Sequence, residues 1–90
     1  MTHKEMGKIL KALANRRRLG IIEFLRKNKT ASVSEIAREI KLSRRSTSRH
    51  LAALRNVELV AYEQSGLTIN YWLAENSLRA VKEILTFFKV

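Results

Sequence analysis

The sequence predicts a mainly α-helical chain with one small β-hairpin, on three observations. Two short amphipathic segments, 32–40 and 43–56, meet across Lys41-Leu42-Ser43 with almost nothing between them. Two runs that favour strands, 59–64 and 67–73, are separated by Ser65-Gly66. Elsewhere apolar residues recur three and four apart, and proline, the residue that would interrupt helices, is absent. The order read from these patterns is α-α-α-α-β-β-α.

Residues 4–14 place Met6, Ile9, Leu10, Leu13 and Ala14 at helical spacing, with Lys4, Lys8 and Lys11 on the other face. Asn15 interrupts this segment and can cap a second helix over 16–27, where Leu19, Ile22 and Leu25 form a stripe with Ile21 and Phe24 on its margin. Arg16-Arg17-Arg18 fills the first turn of that helix, where cations oppose the macrodipole, so a nearby phosphate would relieve the conflict. Residues 28–31 read as a polar connector. Ser32, three before Glu35, makes a capping box, and Val33, Ile36, Ala37 and Ile40 then share a face. Lys41-Leu42-Ser43 breaks the pattern, and Ser43 can cap a new helix from Arg44.

At 100° per residue, Thr47, Leu51 and Leu54 fall on the side of this fourth helix that must pack inward. Arg45, Arg49, Ala52 and Asn56 lie opposite, flanked by Arg44, Ser46 and Ser48. Arginine can fork onto guanine O6 and N7, and small side chains let a helix approach base edges, so this face suits a major groove. In the hairpin that follows, Gly66 supplies the positive φ of a tight turn. A hairpin directly behind such a helix is a wing, and the architecture is a winged helix-turn-helix. Asn76 or Ser77 can cap a last helix over 78–89. Leu78, Val81, Leu85 and Phe88 form its stripe, widened by Ile84 and Phe87 into an apolar arc broader than a small core can cover. Part of that arc is expected to pair with a second copy, together with the first helix.

Ninety residues fit one domain, here the whole of 1–90, divided into a helix-turn-helix at 32–57, a wing at 59–73 and a dimerisation helix at 77–89. A chain this short buries only about 60–65% of its unfolded surface, which also favours association. Without cysteine, disulfides and thiolate metal sites are excluded. No run reaches the roughly 18 apolar residues of a membrane span, and the first ten residues lack signal-peptide features, so a cytoplasmic protein without membrane contact is expected. The formal charge of +10 is concentrated: residues 1–57 carry 15 Lys or Arg against 4 Glu, and residues 58–90 carry 3 against 4. The helical part therefore calls for a polyanionic partner. No paired carboxylates, Ser/His/Asp arrangement, phosphate-binding glycine loop or ligand cluster suggests an enzyme, metal or cofactor.

The stretches KALANRRRLGIIEFL and SVSEIAREIKLSRRSTSRHLAALRNVELV, with a hairpin ending in INYWL, resemble the ArsR family of winged-helix transcriptional repressors. The resemblance spans about residues 8–74 and is most specific at 10–19 and 42–54, where Ser48-Arg49-His50-Leu51 matches the Ser-x-His-Leu element of the family's recognition helix. It implies a homodimer, joined through the first and last helices, on a pseudo-palindromic DNA operator. Carried onto this chain, Arg44, Arg45, Ser46, Ser48 and Arg49 face bases or adjacent phosphates, and Arg16, Arg17, Arg18, Arg38 and Lys41 contact phosphates. Met6, Leu10, Leu13, Val81, Ile84, Leu85, Phe87 and Phe88 form the dimer interface.

Where metal-sensing members place a cysteine pair, this chain has Ala31, Ser32, Val33 and Ser34, and its last helix offers only Glu83 as a ligand. A regulator without metal response, with no small-molecule effector identifiable, is expected. The remaining expectations are a His3 in a disordered terminus and a structural, hydrogen-bonded His50. The wing, with Glu63 as its only charge, gains little at phosphates. Glu58 stands where glycine is usual, forcing either a different helix exit or strain of around 1 kcal/mol. The competing reading is a winged-helix module for non-specific nucleic acid or for a protein partner.

Overall fold

A computed structural model of the chain describes residues 1–88, so Lys89 and Val90 of the expected last helix lie outside the described residues. Eight elements follow in order: α1 (His3–Leu13), α2 (Arg16–Asn28), β1 (Ala31–Ser32), α3 (Val33–Ile40), α4 (Arg44–Asn56), β2 (Val60–Ser65), β3 (Thr68–Leu73) and α5 (Ser77–Phe87). The architecture is the winged helix-turn-helix read from the sequence, with one addition. The connector after α2 ends in the short strand β1, which pairs antiparallel with β3 through Ala31 opposite Tyr71 and Ser32 opposite Asn70. The hairpin is therefore the outer part of a three-stranded sheet in the order β1-β3-β2.

Local chemistry sets most boundaries. Thr2 and Glu5 form a reciprocal capping box that starts α1 at His3, Asn15 Oδ1 accepts from the Arg17 and Arg18 amides at 3.0 and 3.2 Å, and Ser32 with Glu35 repeats the capping box on α3. These caps also hold the Glu5 and Glu35 carboxyls below their ordinary pKa, because backbone amides donate to the charged form. Asn76 takes the N-cap position of α5 but its side chain makes no capping bond. Between α2 and β1, Lys29 adopts φ 62°, ψ −55°, and the Thr30 amide bonds back to the Asn28 carbonyl at 2.6 Å. That is a γ-turn, a strained way to reverse the chain.

The core gathers Ile21 and Leu25 of α2, Ile36 of α3, Leu51 and Leu54 of α4, Leu59 just before β2, Val60 and Tyr71 of the sheet, and Ile84 of α5. Helix α2 sits centrally, touching α1, α3, α4 and β3. Its buried line runs through Ile21 and Leu25, which corrects the expected stripe: Leu19 is half exposed and Ile22 only partly covered. His3 is likewise not disordered; it lies in α1, its ring 5.2 Å from that of Phe87 in an edge-on pair that ties the first helix to the last.

Helix α4 exits through Glu58 at φ 60°. The Leu59 amide bonds to the Leu54 carbonyl at 3.0 Å and the Glu58 amide to that of Arg55 at 2.8 Å. This is a Schellman motif with glutamate where glycine is preferred, so of the two alternatives for Glu58 the chain keeps the glycine-type exit and bears its strain. Both hydrophobic partners of the motif, Leu54 and Leu59, are buried.

Candidate nucleic-acid interface

The turn between α3 and α4 is a second Schellman motif. Lys41 takes φ 56°, ψ 52°, the Leu42 amide reaches the Ala37 carbonyl at 3.0 Å, and the Lys41 amide reaches that of Arg38 at 3.3 Å. One residue later Ser43 Oγ accepts from the Ser46 amide at 3.1 Å, starting α4. Two helix ends are thus capped within three residues, which fixes the direction in which α4 leaves α3.

Arg17 reinforces this turn from outside. Its guanidinium donates to the carbonyls of Ile40 and, at 3.4 Å, of Lys41. The cation at the unfavourable positive end of α2 is satisfied at the negative end of α3. Arg18 works similarly: one nitrogen donates to the Ala12 carbonyl at the end of α1 (3.3 Å), and Nε donates to Nδ1 of His50 on α4 (3.2 Å). His50 is therefore the structural histidine expected. Partial burial, with Arg18 and Arg17 adding repulsion, lowers its pKa and keeps the ring neutral with Nδ1 as acceptor.

The inward side of α4 is Thr47, Leu51 and Leu54, all buried. Thr47 carries a cost, since its Oγ1 is buried without any hydrogen-bond partner. On the outward side Arg44, Arg45, Ser48 and Arg49 are exposed, with Ser46 and Ala52 partly covered. Among the described residues the guanidinium groups of Arg44, Arg45 and Arg49 have no hydrogen bond or ion pair; the one salt bridge joins the Met1 amino group to Glu83 at 3.7 Å. Arg38 and Lys41 are exposed beside this face. Arg16 is exposed in a shallow groove between α2 and α3 that it shares with Glu23 and Glu39. The arginine cluster thus divides, with Arg17 and Arg18 holding the fold and Arg16 remaining outside.

At the base of the wing the Arg55 guanidinium lies 5.0 Å over the Tyr62 ring, which itself tilts against Tyr71 at 5.5 Å. This stack joins the last turn of α4 to the sheet. At the far end of the molecule α5 docks through Ile84, with Ala80 packed against the core, leaving Leu78, Leu85, Phe87 and Phe88 exposed along with Leu10 of α1. Of the residues expected at a dimer seam, Ile84 is covered by its own core, and Met6, Leu13 and Val81 are partly covered. Leu78, on the arc the sequence marked, is exposed too, and Leu19 is an exposed apolar side chain that the sequence did not single out for this role.

Residues 15–62, more than half the chain, match the model of the arsR family of bacterial regulatory proteins. The chain belongs to that family. It is 39% identical over 77 residues to the transcriptional activator HlyU of Vibrio cholerae, covering 86% of this chain and 70% of HlyU. The structure of reduced HlyU from Vibrio cholerae superposes with a TM-score of 0.76 at 34% identity, covering 97% of this chain and 92% of that one. A homodimeric winged helix-turn-helix DNA-binding domain from Mycobacterium bovis, described as a possible ArsR-family regulator, gives a TM-score of 0.77 at 28% identity, covering 93% and 80%. This ArsR-family member is accordingly a DNA-binding transcriptional regulator and not an enzyme. No helix among its described residues is long and apolar enough to cross a membrane.

Proposed function

We propose that the chain acts in the cytoplasm as a homodimer on an inverted-repeat operator in duplex DNA, repressing transcription by occupying it. The observation that carries this reading is the outward face of α4, where Arg44, Arg45 and Arg49 stand exposed with no internal partner, on a helix whose direction is fixed at both ends of the preceding turn. A guanidinium without a partner in the free protein can fork onto a guanine without first breaking another bond. Arg44, Arg45, Ser46, Ser48 and Arg49 are assigned to base edges or the nearest phosphates, and Arg16, Arg38 and Lys41 to phosphates alone. Arg17 and Arg18, assigned to phosphates as well, have only part of each guanidinium engaged inside the fold.

The second copy is assigned to the exposed apolar strip of Leu10, Leu78, Leu85, Phe87 and Phe88. The homodimeric state of the Mycobacterium bovis domain supports this choice. HlyU is named an activator; the same DNA grip represses or activates according to where the operator lies relative to a promoter, and repression by occupancy asks nothing more of this chain than binding. With no thiol in the sequence, neither cysteine oxidation nor thiolate metal binding can regulate it.

The test is selection from a pool of random duplexes at two salt concentrations. The reading expects an enriched inverted repeat with half-sites about one helical turn apart. Retention without enrichment, with affinity falling steeply in salt, would reassign the protein to non-specific DNA coating.

A further inference from the structure

Leu67 at the wing tip is 97% exposed, far more than any other large apolar side chain described, the next being Leu85 at 65%. The remaining exposed apolar residues of the helices lie on α1, α2 and α5, most of them on the strip assigned to a second copy. Leu67 stands apart from them. A lone exposed leucine is ordinary on a protein surface, so three features of its setting carry the argument.

The tip is rigid. β2 and β3 pair continuously from Val60 opposite Leu73 to Ser65 opposite Thr68, and the two-residue loop has Gly66 at φ 62° followed by Leu67 at negative φ, the type II′ pattern. Gln64 Nε2 donates to the Gly66 carbonyl at 3.2 Å, β1 braces β3 from its other side, and Arg55 over Tyr62 holds the base. Leu67 therefore has its backbone held in place, and only its side-chain rotamer is left to be ordered on contact. It also shares a groove with Ser34 and with Arg44, the first residue of the recognition helix, so the tip turns toward the end of α4 assigned to DNA. Finally the wing is chemically unsuited to phosphate: residues 59–73 contain no Lys or Arg.

We infer that Leu67 is an apolar wedge that enters the minor groove beside the half-site read by α4 and presses on a base step there. An uncharged, rigid, apolar tip adjacent to a DNA-reading helix matches the side chains that partly unstack a step from the minor groove, and pyrimidine–purine steps yield most easily. This rests on the DNA-reading function proposed above and adds a position of sequence preference that no arginine supplies.

The experiment uses the selected operator with 2-aminopurine placed at the steps flanking each half-site, and compares wild type with Leu67→Ala and Leu67→Lys. Wild type should raise the 2-aminopurine fluorescence at one flanking step. Leu67→Ala should lose that signal and bind roughly tenfold more weakly per wing, about a hundredfold for a dimer with both wings engaged, the effect of withdrawing one apolar side chain from each contact, with an unchanged salt slope because no counterion is released by leucine. Leu67→Lys should regain affinity with a slope steeper by about one per wing, yet leave the fluorescence silent. Because Leu67 packs on nothing, thermal midpoints should coincide. Equal affinity and equal fluorescence for wild type and Leu67→Ala would overturn the inference. Failure of wild type to select any operator would instead sink the proposed function, so the two failures are distinguishable.

Discussion

Thr47 offers a test in which the sign of the effect, as well as its size, is informative. Its side chain is fully buried where α4 packs inward, and Oγ1 has no partner. Replacing it with valine exchanges the hydroxyl for a methyl of similar shape. Removing an unsatisfied buried hydroxyl recovers about 1–3 kcal/mol of desolvation cost, of which an imperfect fit of the new methyl takes back a part. Thr47→Val should therefore stabilise the fold by about 1–2 kcal/mol, and for a domain of this size each kcal/mol moves the thermal midpoint by about 4–8 °C. Thr47→Ser keeps the hydroxyl and deletes the methyl, so it should destabilise by about 1 kcal/mol. Both variants are measured by urea and thermal unfolding, with DNA affinity as a control that should not move, since Thr47 faces away from the outward side of α4. A destabilised Thr47→Val would show that the hydroxyl makes a bond worth keeping and refute the reasoning.

Gly20→Ala in the middle of α2 should stabilise by about 0.5–1 kcal/mol, since the added Cβ meets only Ile40 Cγ2 at an ordinary 3.5 Å; a loss of stability on denaturation would contradict it. Glu58→Gly should gain about 0.5–1 kcal/mol by relieving the left-handed exit of α4, less the entropy glycine adds to the unfolded chain. His50 has its pKa lowered by burial and by Arg18 and Arg17, so the unfolded chain takes up a proton first, and stability present above about pH 6.5 should decline as pH falls below it. His50→Gln should flatten that window, leaving a separate loss near and below pH 4 as the capping carboxylates of Glu5 and Glu35 protonate. Arg45→Ala or Arg49→Ala should reduce discrimination between operator and random DNA by roughly 1–3 kcal/mol, whereas Lys41→Ala should weaken both alike; equal losses on both DNAs for the arginine variants would remove them from base reading.

What could be read in the sequence was what local chemistry decides. Ser32 with Glu35, the interruption at Lys41 and Ser43 as a cap are short-range signals, and the helix-turn-helix they define closes through bonds among neighbours. Helix α2 resisted because apolar residues at 19, 21, 22, 24 and 25 fit more than one face, and only the simultaneous presence of α1, α3, α4 and β3 selects Ile21 and Leu25. Two-residue β1 is too short to show alternation, and its partners Tyr71 and Asn70 are distant in the chain. The roles of Arg17 and Arg18 were hidden for another reason: most of their acceptors are backbone carbonyls, which carry no residue code. The outward arginines of α4 were legible because a recurring geometric pattern, rather than any single residue, marks them.

The engagement of Arg17 and Arg18 gives two positive charges a part in the fold as well as in the field around it. Their acceptors are neutral, so both guanidiniums keep their full charge and still pull a distant polyanion toward the molecule. At least three of the five N–H donors of each guanidinium stay unengaged. Of the formal charge of +10, this pair therefore serves twice: it ties helices together, and on the proposed reading it adds to the field that draws DNA in, beside the unpaired arginines of α4.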